Sequence, residues 1–267
     1  MRRWIEAGLI AATLAAGVIL PGRVNSRQTA DLGRPVEEYR IVPVRVHLLR
    51  APQMDAIGTK LKAEDITRIF RKANGIWHQA GIHLWVESIV DEKPAGTRGH
   101  EEDTVLPLDA LEPLRPKETL GDGMFHVYYI GNTAVNGIFI ARDAIFVKET
   151  ARLRVVEGGI DEPLPRVTAH ELGHGMGLPH RQAMTNLMAS GTTGTSLNAE
   201  EIEKVRRKVD GFKWVLPAED FLKKTDDLVK ENHLHEAEDR YHALLDIPGA
   251  SPLKEQAKAG LEKTKKP

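Results

Sequence analysis

Five residues of one short segment combine the side chains and the spacing of a catalytic metal site. His170 and His174 lie four residues apart, so on a helix both imidazoles face one side and can reach one ion. The carboxylate of Glu171 can then reach a water bound to that ion. Gly177 permits a sharp left-handed turn, which can bring His180 back to the same ion. Three neutral imidazoles and one water complete a tetrahedral zinc site with a position open for substrate.

The composition restricts which ligands and partners the chain can use. Its 267 residues contain no cysteine, which excludes disulfides, a thiol nucleophile, thiolate zinc sites and iron–sulfur clusters. Any metal must therefore be held by Asp, Glu or one of 11 histidines. Lys and Arg number 37 against 38 Asp and Glu, and this balance argues against a nucleic-acid partner. The 41% of hydrophobic residues is ample for a packed core of one or two domains.

The complete string His-Glu-x-x-His-x-x-Gly-x-x-His, over residues 170–180, resembles the motif of the metzincin zinc proteases. Asn186-Leu187-Met188 ends eight residues after His180 and looks like the methionine turn of that clan. The run His-Glu-Leu-Gly-His and the distance to the methionine are similar to the matrixin group. The specific resemblance covers residues 170–188, and the order of elements extends it over about residues 40–215. The alternative is a helix surface whose histidines bind no metal.

The resemblance implies a role for each of these residues. It implies one catalytic zinc ion held by His170, His174 and His180, with Glu171 as the general base. Gly177 and Met188 would support the site, and the methionine would form a floor beneath the metal without ligating it. Some metzincins carry a tyrosine two residues after this methionine, where the present chain has Ser190. Transition-state stabilisation would then come from the zinc and nearby backbone groups.

The hydrophobic periodicity predicts the elements that position this segment. It predicts strands over residues 39–49, 82–90, 124–130, 137–141 and 144–148, and helices over 66–80, 165–176 and from Asn198 to Phe212. Residues 91–123 are predicted to form a long loop. We expect an α+β fold, α/β-like in its upper half. It would be zincin-like, with a five-stranded mixed sheet, an active-site helix, a C-terminal helix and a short all-α tail.

The strand from Gly137 to Ala141 is the predicted substrate-binding edge. In the metzincin clan, substrate binds along the one antiparallel edge strand, and by position that edge is this strand here. Ile138 and Ile140 alternate with Phe139, so one set can pack inward while exposed backbone groups pair with an extended peptide. The alternative is an interior strand, because the assignment depends on element order alone.

The remaining histidines carry weaker signals. Four lie on predicted strands or on the first helix, where an exposed or hydrogen-bonded imidazole is the ordinary state: His47, His78, His83 and His126. Three more, His233, His235 and His242, are expected on the tail surface. His100 could join a secondary metal site with Glu101, Glu102 or Asp103. Matrixins carry structural zinc and calcium sites in this region, but their full ligand pattern is absent, so no clear motif supports Ca²⁺.

The two ends of the chain differ in composition from the central domain, which we assign to residues 39–216. Residues 1–26 combine a basic start with a short apolar run, which predicts a signal peptide or an N-terminal anchor. Residues 27–38 are interpreted as a linker. Residues 217–267 lack strand signals and predict a helical tail. One tetratricopeptide-like hairpin is an option there, and a hairpin packed on the catalytic domain or a loose extension is favoured.

The expected function is that of a secreted, periplasmic or envelope-associated zinc endopeptidase. Its partner would be a peptide or protein substrate, with no nucleic acid and no membrane contact beyond an uncleaved N-terminal segment, and a monomer is expected. The alternative is a non-catalytic, zinc-stabilised module that binds a partner through the helical tail. The sequence does not define cleavage specificity, substrate, calcium requirement or biological process.

Overall fold

A computed structural model describes residues 34–140 and 142–265 of the chain. Its strands are β1 (Arg40–Leu49), β2 (Ile82–Glu92), β3 (Phe125–Ile130), β4 (Gly137–Ile140), β5 (Ala144–Lys148) and β6 (Leu216–Pro217). Its α-helices are α1 (Ala63–Trp77), α2 (Pro163–Gly175), α3 (Ala199–Asp210), α4 (Ala218–Lys230), α5 (Leu234–Asp246) and α6 (Pro252–Thr264). Short 3-10 turns lie at Val36–Glu38, His78–Ala80, Leu108–Ala110 and Glu112–Leu114.

The sheet is mixed, with the order β2-β1-β3-β5-β4. The first four of these strands run parallel, whereas β4 returns antiparallel to β5 and has one neighbouring strand among the described residues. The two residues of β6 pair antiparallel with the start of β1. The predicted α+β class and mixed sheet are confirmed. The sixth strand was not predicted, because two residues are too few to show an alternating pattern.

One face of the sheet is covered by α1 and α2. Val42, Val44 and Val46 alternate along β1 and are buried in one cluster with Ile66 of α1 and Leu172 of α2. Burial of such aliphatic side chains stabilises a fold by roughly 1.5–3 kcal/mol each. Within this layer α2, the helix of the metal motif, packs mainly on β4 and β5 at one side of the sheet.

The opposite face of the sheet is covered by the long segment that follows β2. Leu111 and Leu114 of this segment are buried together with Tyr128 of β3 and Phe146 of β5. The predicted loop over residues 91–123 is thus an apolar cover made of irregular backbone and two 3-10 turns. It completes a second core layer rather than lying free in solvent.

Helices α4, α5 and α6 pack on the beginning of the described chain. Phe221 of α4, Tyr241 of α5 and Leu261 of α6 share a buried cluster with Tyr39 and Ile41 at the start of β1. All described residues belong to one compact unit. The predicted signal peptide or anchor, residues 1–26, lies outside the described residues. Among the described helices, none combines the length and apolar character needed to cross a membrane.

Candidate metal centre and active site

The histidines of the motif converge on one point. The Nε2 atoms of His174 and His170 lie 3.2 Å apart, and those of His174 and His180 lie 3.1 Å apart. Helix α2 supplies the first two, one turn apart on one face. The chain then reverses at Gly177, whose φ of +88° is a conformation that favours glycine. This reversal brings His180 to the other two rings, so the structure unites all three predicted ligands.

The ring orientations suit a metal ion. The Nδ1–H of His170 donates to the Leu187 carbonyl at 2.7 Å, and that of His174 donates to the Leu178 carbonyl at 2.8 Å. In a neutral ring this leaves a lone pair on each Nε2, and two facing lone pairs repel unless a cation lies between them. Zinc–nitrogen bonds in a tetrahedron would place the ligand nitrogens about 3.3 Å apart. The observed separations match that value, so the three histidines form a group able to hold one metal ion.

Burial favours the neutral form of the His170 and His174 imidazoles. Desolvation lowers the pKa of His170 to about 3, and it also lowers the pKa of His174. A neutral imidazole is the form that coordinates a metal. The site therefore needs little proton release from these two rings at neutral pH.

Glu171 lies beside the three rings with its carboxylate in a nearly closed space. The residue is 6% exposed, and its Oε1 lies 4.0 Å from Nε2 of His170. Burial raises the pKa of Glu171 to about 7, although the backbone N–H of Phe139 and the charge of Arg166 act in the opposite direction. A carboxyl group with a pKa near 7 can both accept and donate a proton at neutral pH.

The backbone of β4 forms the wall next to Glu171. Lys148 N–H donates to the Asn136 carbonyl at 2.9 Å, which makes this a hydrogen-bonded pair of the antiparallel ladder. Since such pairs alternate, Ile138 and Ile140 bond to β5, whereas the peptide groups of Gly137 and Phe139 point away from it. The strand therefore lies at an open edge, and its substrate role stays a prediction.

The turn that contains Met188 packs against α2. A Cβ added to Gly173 would lie 2.7 Å from Met188 Sδ, so only glycine lets the turn approach the helix this closely. Met188 is fully buried, and its N–H donates to the Asn186 side chain at 2.7 Å. The Met188 carbonyl accepts from the N–H of Arg181, the residue that follows the third histidine. The methionine turn and the third ligand are thus joined by main-chain bonding.

Glu201 has a second role that the sequence did not reveal. It forms a capping box with Asn198 at the start of α3. Its buried carboxylate also accepts from Arg181 at 2.6 Å and from the Asn186 amide at 2.7 Å. Although burial raises the pKa of Glu201, these hydrogen bonds lower it overall. One carboxylate therefore connects the third-ligand segment, the methionine turn and the start of α3.

Two of the other histidines form a buried polar chain on the face of the sheet opposite α2. His126 Nε2–H donates to the Gly121 carbonyl at 2.9 Å, so its Nδ1 accepts from His47 Nε2–H at 2.8 Å. His47 Nδ1 then faces Glu92 Oε1 at 2.5 Å, and one proton must lie between them. Burial lowers the pKa of His47 to about 3 and raises the pKa of Glu92, so it disfavours the charged form of both groups.

The remaining histidines provide no second metal site in the part of the chain that the structure describes. His83 is buried, and His100 binds the Asp103 carboxylate at 2.8 Å. Within residues 34–140 and 142–265, the only converging group of three metal-binding side chains is His170, His174 and His180. The secondary site suggested for His100 with Glu101, Glu102 or Asp103 is therefore not assembled among these residues.

The chain is similar to solved structures at low sequence identity. No family model and no curated protein matches the chain. An archaemetzincin from Methanopyrus kandleri is 13% identical, with a TM-score of 0.45 over 67% of this chain and 99% of that one. Metalloproteinase-II from Bacteroides fragilis is 15% identical, with a TM-score of 0.39 over 66% of this chain and 55% of that one. A chaperone–substrate complex is 14% identical, with a TM-score of 0.39 over 66% and 35%. TM-scores this low carry no argument about function, so the assignment of a function depends on the chain's own site residues.

Proposed function

We propose that the chain is an exported, zinc-dependent endopeptidase. The observation that carries this proposal is the convergence of three Nε2 atoms beside the enclosed carboxylate of Glu171. The metzincin-like motif of residues 170–188 supports the same assignment. Export is supported by the basic and apolar pattern of residues 1–26.

Zinc is the metal that best fits this donor set. The ligands would be the Nε2 atoms of His170, His174 and His180, and three imidazoles with one open position are typical of catalytic zinc. A zinc ion bound there would polarise the scissile carbonyl and lower the pKa of a bound water. The carbonyls of Leu187 and Leu178 fix the ring orientation of the first two ligands, which preorganises them for the ion.

Glu171 performs the proton transfers in this proposal. Its carboxylate takes a proton from the attacking water and passes it to the amine that leaves when the peptide bond breaks. The enclosed position next to β4 shields the carboxylate from bulk water, and this burial raises its pKa. One residue can therefore act first as base and then as acid within a turnover.

The open edge of β4 would bind the substrate backbone. The carbonyls of Gly137 and Phe139 point away from β5 and can accept from an extended peptide. Because β4 also forms the wall beside Glu171, a peptide paired with this edge runs next to the proposed base.

The test is hydrolysis of casein by Glu171→Gln. We expect this variant to retain its zinc while losing about 100- to 10,000-fold of its activity, since a positioned general base is worth that much. Glu203→Gln is the matched control, because Glu203 is an exposed carboxylate on α3 paired with Arg207. A chelator should abolish hydrolysis in the wild-type protein, and added zinc should restore it.

The result also separates the enzyme from a non-catalytic binding module. Zinc content without hydrolysis in the wild-type protein would contradict the proposal and favour the binding module. Near-native turnover in Glu171→Gln would leave the peptidase activity standing but would show that another group acts as the base.

A further inference from the structure

Arg166 is a buried cation on the same helix as the metal motif. It precedes His170 by four residues, so both side chains leave the same face of α2. Arg166 is 1% exposed. Burial lowers its pKa to about 10, which still leaves the guanidinium charged at neutral pH. A buried charge is costly unless its donors are satisfied, so the partners of this group define its role.

The hydrogen-bond partners of Arg166 are carbonyls of the loop that contains the methionine turn. Its Nε–H donates to the Gly194 carbonyl at 3.1 Å. Its Nη2 donates to the carbonyls of Ala189 and, at 3.4 Å, Asn186. The planar fork of the guanidinium thus joins three points of the chain on both sides of Leu187 and Met188. The proposed catalytic residues are not among these hydrogen-bond partners.

The segment held by Arg166 is the one that orients the first metal ligand. Leu187 lies next to Asn186, and its carbonyl accepts from Nδ1–H of His170 at 2.7 Å. That bond decides which ring nitrogen of His170 is free to bind the ion and in which direction it points. Displacement of the Leu187 carbonyl would therefore misdirect Nε2 of His170.

We propose that Arg166 is a positioning residue for the metal centre, which holds the Leu187 carbonyl where it orients His170. The inference rests on the proposed zinc function, because it assigns a task toward the same ion. Lysine cannot replace arginine here, since one ammonium group lacks the planar fork that reaches three carbonyls. Sequence alone gave no sign of this role, because a charged residue in the first turns of a helix is usually solvated.

The test measures zinc affinity, which does not require activity. Full-length wild-type protein, Arg166→Lys and Arg166→Met are titrated with zinc against a chromogenic chelator. Loss of such supporting contacts typically weakens metal binding by about 10- to 100-fold, and we expect this loss in both variants. Cobalt substitution provides a second readout, because the visible spectrum of the bound Co²⁺ should change when the His170 ring turns.

Arg206→Lys is the matched control. Arg206 also donates to two backbone carbonyls, those of Ala80 at 2.9 Å and Glu38 at 3.2 Å, but neither belongs to the metal centre. We expect this control to keep the wild-type zinc affinity and cobalt spectrum even if its thermal midpoint falls as far as that of Arg166→Lys. Equal zinc affinities in wild type and both Arg166 variants would overturn the proposal.

Two other outcomes would overturn the role of Arg166, and a third would contradict only the proposed peptidase. Equal loss of affinity in Arg206→Lys would show a general effect of destabilisation and would overturn the role of Arg166. Failure of both Arg166 variants to fold while Arg206→Lys folds would make Arg166 a residue of the whole fold, which also overturns it. A wild-type protein that binds zinc but cleaves nothing would contradict the proposed peptidase alone.

Discussion

Replacement of Gly137 by alanine should separate proton transfer from metal binding. A Cβ at this position would lie 2.5 Å from Val167 Cγ1, 2.8 Å from Glu171 Cγ and 2.9 Å from Glu171 Oε1. None of these atoms belongs to a histidine of the metal centre. The backbone of Gly137 is ordinary strand, so the added methyl group acts through contact alone. The variant therefore pushes the proposed base away from its place and leaves the ligands intact.

The size of the effect follows from these distances. Carbon atoms pack best at about 3.5–4.0 Å, so the Glu171 side chain must retreat by about 1 Å. A misplacement of this size can cost about 100-fold in rate. Overpacking of a buried site also lowers the free energy of unfolding by about 1–3 kcal/mol. We expect kcat for peptide hydrolysis to fall about 100-fold while the zinc content stays at its wild-type level.

Gly75→Ala is the matched control for this experiment. Gly75 lies within α1, and nothing lies within 4 Å of the Cβ that alanine would add. Alanine is the better helix former, so this variant should gain about 0.5–1 kcal/mol in the free energy of unfolding. Its activity should be unchanged. Wild-type kcat in Gly137→Ala would refute the placement of Glu171 as the base beside β4.

Two further predictions concern the histidines. His180→Ala should lose most of the zinc found in the purified protein, because only two imidazoles of the metal centre remain. Its control is His235→Ala, which replaces an exposed histidine and should keep the zinc. Elemental analysis of both variants measures the zinc content. Burial, followed by the charge of Lys254, lowers the pKa of His83 to about 4. Below about pH 6.5 the unfolded chain therefore binds a proton at His83 that the folded chain does not bind. The stability contributed by neutral His83 is complete above that pH and is lost towards pH 4. Measured by urea unfolding, the free energy of unfolding of His83→Leu should fall less steeply with decreasing pH, by up to about 1.4 kcal/mol per pH unit. The same pH dependence in wild type and variant would contradict this prediction.

The parts of the site that follow from local sequence were predictable. The spacing of His170, His174 and His180 defines a helix followed by a turn, and the structure unites the three rings. Asn198 and Glu201 predict the start of α3 through a capping box, which is present. In each case the interacting groups lie within about ten residues of one another, so a helix turn or the chain reversal directly after a helix brings them together.

The parts that depend on distant packing were not predictable. The hydrogen bond between His47 and His126 joins residues whose strands meet only through the register of β1 and β3. The contact of Arg166 with the methionine turn likewise needs the loop to fold back over α2. Alternation of Val42, Val44 and Val46 shows which face of a strand is buried, but it does not show which loop covers the other face.

The packing of α4, α5 and α6 on the start of β1 has a consequence for biosynthesis. Tyr39 and Ile41 are among the first described residues to leave the ribosome, yet they are buried by Phe221, Tyr241 and Leu261. Domains generally fold as units during synthesis, and this cluster cannot close until α6 has been made. The cluster at the start of β1 therefore stays open until Leu261 has been made, whereas every residue that packs α1 and α2 on the sheet is synthesised earlier.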